Sequence, residues 1–257
     1  MKISGNTVFI PGATSGIGLA LALALRDKGN NVIVGGRRQE LLDQIVAEHP
    51  PDVHAVRIDT ADPDSITAVA AQVLTAHPDL NVVITMAGVM SIEDWHHPRD
   101  LPGVGRIDHH HQRARPDPTD RRVHRAPAEP AGGHGDDRLL GGAGGFTPLR
   151  VTPSYNASKA AIHLLTETLR LQFAGSSVEF KELVPPAVKT DLVPGQRDSE
   201  WAMPLEDFVR EVVDILEKQP EATEIQVENV KFLRYAEVRG EYEHAIAVLN
   251  SADPHAS

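Results

Sequence analysis

The sequence predicts a single doubly wound α/β domain, a parallel sheet covered by helices on both faces. Three observations predict it. Short apolar runs alternate with helical patterns from the N-terminus to about residue 85. The runs are closed by glycine, proline or aspartate, as strands are. The spacing leaves room for a helix between successive strands, which parallel pairing requires.

The elements follow in order. Thr7-Val8-Phe9-Ile10 is a buried strand closed by Pro11-Gly12. After the glycine-rich turn a helix is expected through Leu19 to Lys28, stopped by Gly29, and Asn31 to Val34 is the second strand. Arg38 to Glu48 has helical spacing, with Leu41, Leu42, Ile45 and Val46 as its apolar stripe. Val53 to Ile58 is the third strand, Pro63 to Ala76 the third helix, and Leu80 to Thr85 the fourth strand. Ser154 to Phe173 is the longest helical pattern, followed by a strand at Val178 to Val184 and a helix at Pro204 to Lys218. Val230 to Ala236 and Glu241 to Leu249 are also expected to be helical, and the tail from about 250 polar and frayed.

Composition excludes several functions. At 257 residues the chain can bury a full core, and its net charge of −11 argues against a general nucleic-acid or anionic-membrane binder. It has no cysteine, so neither a disulfide framework nor thiol chemistry is available. No signal-peptide pattern opens the chain and no apolar run approaches a membrane span, so a soluble cytoplasmic protein is expected.

Two stretches carry chemistry. Gly12-Ala13-Thr14-Ser15-Gly16-Ile17-Gly18 lies between a strand and a helix. Glycines there let the backbone approach a pyrophosphate, and the helix start offers free N–H groups and a positive dipole end. Its spacing differs from the commoner dinucleotide fingerprint. A carboxylate after the second strand would favour a free ribose 2′-hydroxyl, but the chain has Gly35-Gly36-Arg37-Arg38. Two guanidiniums suit a 2′-phosphate, so NADP is favoured over NAD. The second stretch is Tyr155-Asn156-Ala157-Ser158-Lys159, whose tyrosine and lysine share one helix face. A nearby ammonium favours phenolate, so the pair is expected to have a lowered tyrosine pKa and to pass a proton to or from a carbonyl or alcohol. Taken alone, the same two residues also arise by chance on an amphipathic helix.

Together these residues resemble the classical short-chain dehydrogenase/reductase family. The matches are Gly12 to Gly18, Asp59, Ala87-Gly88, Tyr155 with Lys159, and Pro185 to Thr190, in the family's order. The resemblance implies a Rossmann-type domain and hydride transfer between nicotinamide and a carbonyl or hydroxyl carbon of a small molecule. It makes Tyr155 the general acid/base and Lys159 the residue that holds the nicotinamide ribose. Asp59 would meet the adenine, and Ala87 and Gly88 would lie under its ribose. Val188 and Thr190 would contact the carboxamide and phosphates. The family often assembles into dimers and tetramers, so a homo-oligomer is open.

The departures matter as much. Pro11 stands where the family usually has threonine, and Thr85-Met86 replaces an asparagine pair that ties neighbouring strands. The catalytic serine's slot falls near Leu140 to Ala143, yet no serine occurs between Ser91 and Ser154. The family's helix asparagine is also absent, since none occurs between Asn81 and Asn156. An inactive dinucleotide-binding protein is therefore the alternative reading.

Both losses fall where the pattern collapses, an irregular segment at about 101–145 made almost wholly of Arg, Gly, Pro, His, Asp and Ala. A GC-rich gene read out of frame yields this composition. In the neighbouring frame, with codons chosen freely, Gly103 to Pro118 can read ASVESITTTNVLGPIR, resembling the family's asparagine-bearing helix. Gly135 to Gly141 can read ATTVSSG, resembling the strand that ends in the serine. Two compensating frameshifts are thus expected. If the segment is instead the true translation, a central strand is expected to be lost and the sheet compromised. His109-His110-His111 with His96-His97 make a poor metal cluster, because consecutive histidines cannot all face one ion. No metal site is expected. An arginine-rich nucleic-acid loop is disfavoured because five aspartates and a glutamate nearly cancel seven arginines.

Overall fold

The computed structural model describes residues 2–93, 137–141 and 145–251. Seven strands form one sheet in the order β3-β2-β1-β4-β5-β6-β7, every pair parallel. They are β1 (Thr7–Pro11), β2 (Asn31–Gly36), β3 (Val53–Arg57), β4 (Leu80–Thr85), β5 (Asp137–Gly141), β6 (Glu179–Val184) and β7 (Glu224–Gln226). The chain builds outward from β1 to β3, then returns to the other side of β1 with β4. That reversal opens a crevice at the carboxyl ends of β1 and β4, the place where open α/β sheets take their ligands.

Alternation along the strands sorts side chains onto two faces. Val8 and Ile10 of β1 and Val32 and Val34 of β2 join one buried cluster with Leu21 and Leu25 of α1 (Gly16–Asp27). Phe9 and Ile33 point the other way, to Val69 and Val73 of α3 (Pro63–Ala76). Asp62 starts α3 by accepting from Asp64 N, with Pro63 in the first turn, where a missing N–H costs nothing. Helix α2 (Gln39–Glu48) buries Leu42 and Ile45. Helix α5 (Leu205–Lys218) buries Phe208, Val209, Val212, Val213 and Leu216, so its buried stripe includes Val209 and Leu216 while Ile215 sits at its margin.

Helix α4 (Pro153–Gln172) follows the long pattern read from the sequence, shifted by one residue at each end. The C-terminal helices are shorter than or displaced from expectation, α6 being Lys231–Arg234 and α7 Tyr242–Ser251. β7 has only Ile225 as an apolar member and gave no strand signal. Among the described residues no helix is long and apolar enough to cross a membrane.

One expectation is corrected. β5 lies inside the segment read as irregular, and it is a central strand: Val82 to Thr85 pair with Asp137 to Leu140 on one side, and Asp137 to Gly141 pair with Glu179 to Leu183 on the other. A parallel ladder is made by backbone N–H and C=O groups, which every non-proline residue supplies. The gap between β4 and β6 can therefore be filled by a run without strand-like composition. The remainder of 101–145, apart from Gly145, lies outside the described residues, as do His96-His97, His109-His110-His111 and the tail from 252.

The strands are tied at their amino ends, opposite the crevice. Asn30 Oδ1 accepts from Asn6 N (2.9 Å) and Asn6 Nδ2 (2.8 Å), and Asn30 Nδ2 donates to Leu25 O (2.6 Å) and Ile3 O (2.8 Å). Asn81 Oδ1 accepts from Thr7 N, and Asn81 Nδ2 donates to Asn6 Oδ1. These amides link β1, β2 and β4 at the end remote from Thr85-Met86.

Candidate active site

The glycine turn leaves β1 at the crevice and is packed too tightly for side chains. Gly12 has φ 88° and Gly16 φ 58°. A Cβ on Gly12 would stand 2.4 Å from Ala87 N, and one on Gly18 would stand 2.4 Å from Gly12 O. The turn after β1 thus lies directly against the turn after β4. On its other side Gly35 O accepts from Gly12 N (2.8 Å) and Ala13 N (3.0 Å). A Cβ on Gly36 would stand 2.4 Å from Thr14 Cγ2. Pro11 ends β1, where its missing N–H is harmless, and its carbonyl accepts from Met86 N (3.1 Å). Ser15 is the N-cap residue of α1, but its hydroxyl makes no capping bond, and Ile17 packs on the core.

The rim beside the turn is cationic. Arg37 and Arg38 are exposed, and Arg38 Nη2 donates to Thr14 Oγ1 at 3.1 Å. Arg57, at the end of β3, donates from Nε to Arg37 O at 3.3 Å. Sequence reading missed this third guanidinium, because β2–β3 pairing brings it there across 20 residues. Asp59 follows β3, half-buried, and its Oδ1 accepts from Ala61 N at 2.9 Å.

Tyr155 and Lys159 arrive from α4. Pro153 occupies the first turn, and Glu93 caps it from outside: Glu93 Oε2 accepts from Ser154 N (3.3 Å) and Ser154 Oγ (3.0 Å). Lys159 Nζ stands 5.2 Å from the centre of the Tyr155 ring and 3.8 Å from where a Gly88 Cβ would be. Burial pushes the Tyr155 phenol up to about 12 and Lys159 down to about 8. The lowered tyrosine expected from the sequence is not found. The ammonium lies over the ring face, 5.2 Å from its centre, and enclosure of the phenol disfavours the phenolate.

The segment after β6 closes the group. Val188 is buried and bridges to Met203, while Gln196 Nε2 donates to Val188 O at 2.6 Å. Thr190 is buried, its Cγ2 3.6 Å from a Cβ position on Gly16. The fold therefore brings together Gly12 with Ala87, Gly16 with Thr190, Gly88 with Lys159, and Thr14 with Arg38. Asp59 is held by Ala61 N and Ser65 Oγ at the start of the next element, and Val188 by Gln196 and Met203 in the core cluster that also holds Ala13.

The serine's slot follows from the strand register. Leu140 pairs with Thr85 and Glu182, so β5 ends at Gly141 on the same edge of the sheet as the crevice. The sequence supplies no hydroxyl there.

Comparison with known proteins bears on the family and the fold. A family model described as short chain dehydrogenase matches residues 6–100 and 141–201, leaving out most of the anomalous segment. An uncharacterized oxidoreductase, DltE, from Bacillus subtilis (strain 168) is 31% identical over 98% of this chain and 100% of its own length. Among solved structures, a short chain dehydrogenase from Burkholderia cenocepacia J2315 in complex with NADP has a TM-score of 0.69 at 20% identity, covering 95% of this chain and 98% of that one. A 3-ketoacyl-(acyl-carrier-protein) reductase from Brucella melitensis complexed with NADH has a TM-score of 0.64 at 18% identity, covering 86% of this chain and 94% of that one. The two structures share the fold, and the family match with the extended relative assigns the lineage: the chain belongs to the short-chain dehydrogenase/reductase family.

Proposed function

We propose that the chain is an NADP-dependent oxidoreductase that interconverts a small carbonyl compound and its alcohol. One observation carries this reading: Lys159 Nζ approaches both the Tyr155 ring and Gly88, whose neighbour Ala87 abuts Gly12 of the glycine turn. The proton-handling pair and the nucleotide turn thus meet at the carboxyl edge of β4.

The fit to a dinucleotide rests on the turn itself. Glycines at 12 and 18 leave no room for a Cβ, and the uncapped start of α1 suits a pyrophosphate. Thr14, Ser15, Gly16 and Ile17 complete that turn. Arg37 and Arg38, with Arg57 beside them, suit a 2′-phosphate and favour NADP over NAD. Asp59 would meet the adenine, Ala87 and Gly88 the adenine ribose, Lys159 the nicotinamide ribose, and Val188 and Thr190 the carboxamide and phosphates. When bound, the cofactor supplies or accepts the hydride.

The remaining work falls to Tyr155. With its phenol held up at about 12 it is protonated throughout the neutral range, ready to give its proton to a carbonyl oxygen as that oxygen gains negative charge. Lys159, held near 8, sits close to the operating pH and can replace that proton.

A second reading has its own observation in favour. With β5 ending at Gly141 and no serine from 92 to 153, a substrate-orienting hydroxyl is missing from that edge. Losing such a donor costs roughly 10²–10³ in rate. Fluorescence titration with NADPH and NADH, followed by turnover on a panel of ketones and aldehydes, separates the readings. Tighter NADPH binding with turnover supports the enzyme; tight binding without turnover supports the inactive binding protein.

A further inference from the structure

Four turns of α4 separate the reacting pair from the helix's far end, and two polar contacts fasten that stretch to β6: Arg170 on Phe180 O near the far end, and His163 on Glu182 nearer the reacting pair. His163 lies one turn beyond Lys159 and two beyond Tyr155, on the same stripe of the helix. Its Nδ1 is 2.7 Å from Glu182 Oε2 on β6. Glu182 is only 1% exposed, and its second oxygen, Oε1, is buried and has no hydrogen-bond partner among the described residues. Burial raises the Glu182 pKa.

The surroundings hold this contact in place. Phe146 meets the His163 ring edge-on, with centroids 4.7 Å apart, and the Arg234 guanidinium lies 4.3 Å over Phe146. Arg234 also chelates Glu224 through two bonds of 2.8 Å. Arg170 donates to Phe180 O and Thr223 O, and Glu167 flanks His163 Nε2 at 3.7 Å. Glu224 is therefore already chelated by Arg234, and Glu182 already holds His163. That disfavours a divalent cation, although His163, Glu182 and Glu224 bring ligand atoms within 4.8 Å of one another.

A buried carboxylate with one orphan oxygen is costly, and apolar residues of similar size are often as stable or more so. The contact contributes register instead. β6 runs on through Pro185-Pro186 to Val188 and Thr190, and Thr190 packs on Gly16 of the glycine turn. We propose that His163 and Glu182 are positioning residues: their hydrogen bond fixes α4 against β6 so that Lys159 and Thr190 face the nicotinamide end of the cofactor together. This rests on the reading of Tyr155 and Lys159 as the reacting pair. With Nδ1 carrying the proton, the ring donates to the carboxylate and presents Nε2 toward Glu167.

The test compares Glu182→Gln, which keeps an acceptor for Nδ1–H, with the apolar double variant His163→Leu/Glu182→Leu. Thermal melts check that both fold. The proposal expects the double variant to melt at or above the parent yet bind NADPH about tenfold or more weakly, since small misplacements of positioned groups are expensive. Glu182→Gln should stay within about threefold of the parent. Affinity for adenosine 2′,5′-bisphosphate, which lacks the nicotinamide ribose, should be unchanged in both. Unchanged NADPH affinity in the double variant, or equal loss of both ligands, overturns the proposal. A readout free of cofactor separates it from the functional reading. The titration of isotope-labelled Lys159, near 8 in the parent, should move toward its ordinary value in the double variant. If it stays put, the positioning role is wrong. If it moves but the parent binds neither ligand, the proposed function fails and the positioning role stands.

Discussion

Lys159 is the residue on which stability and the proposed function pull in opposite directions. It is 9% exposed, and its ammonium has no carboxylate partner among the described residues. Its pKa falls from 10.5 to about 8 because burial penalises the charged form. Below 8 both folded and unfolded chains hold the proton, and the full cost is present. Between 8 and 10.5 the unfolded chain binds more protons, so this group's contribution to stability rises with pH across that window. Tyr155 acts with the opposite sign at higher pH: its phenol rises from 10.0 to about 12, the folded chain holds the extra proton, and stability falls as pH passes through that interval. Lys159→Met should accordingly stabilise the cofactor-free protein at pH 7 by about 3 kcal/mol. It should also abolish the rise in stability between 8 and 10.5 and weaken NADPH binding. Denaturant titrations at several pH values check the first two expectations, and fluorescence titration checks the third.

At the scale of elements, the glycine turn and the asparagine ladder make separate demands. Gly18 lies inside α1, where alanine is ordinarily the better helix former by about 1 kcal/mol. A Cβ there would stand 2.4 Å from Gly12 O, so Gly18→Ala should destabilise the protein and lower NADPH affinity, reversing the propensity. Urea unfolding and NADPH titration of the same variant read both effects. Asn30, 2% exposed, makes four hydrogen bonds at the other end of the sheet. Asn30→Ala leaves buried backbone and side-chain groups without partners and should cost about 2–4 kcal/mol by urea unfolding, with cofactor affinity unchanged because the ladder lies opposite the crevice.

At the scale of the whole molecule, what was legible in the sequence is what local pattern determines. β1 to β4, the glycine turn, α3 and α4 each announce themselves through period, caps or breakers, and the structure places them within a residue or two, the largest difference being β2, which runs on through Gly35-Gly36. Contacts made across long separations were not legible: Arg57 reaching Arg37, Glu93 capping α4, and His163 on Glu182. β5 was missed for a different reason, because its residues lack the apolar, β-branched character of a central strand and its place is set by the neighbours it pairs with. The family model omits residues 101–140, within the stretch of aberrant composition. The expectation of two compensating frameshifts is checked on the gene's nucleotides: the neighbouring frame should encode the asparagine-bearing and serine-bearing strings, and their absence removes the idea.

Tyr155 and Lys159, set against the glycine turn, are proposed to make an NADP-dependent redox site in this chain. The most direct test is NADPH consumption with the ketone and aldehyde panel, run in parallel for the parent and Tyr155→Phe. Measurable turnover is expected in the parent and a loss of about 10²-fold or more in Tyr155→Phe, with NADPH affinity retained. Turnover equal in the two proteins, or tight NADPH binding with no turnover in the parent, would contradict the proposal.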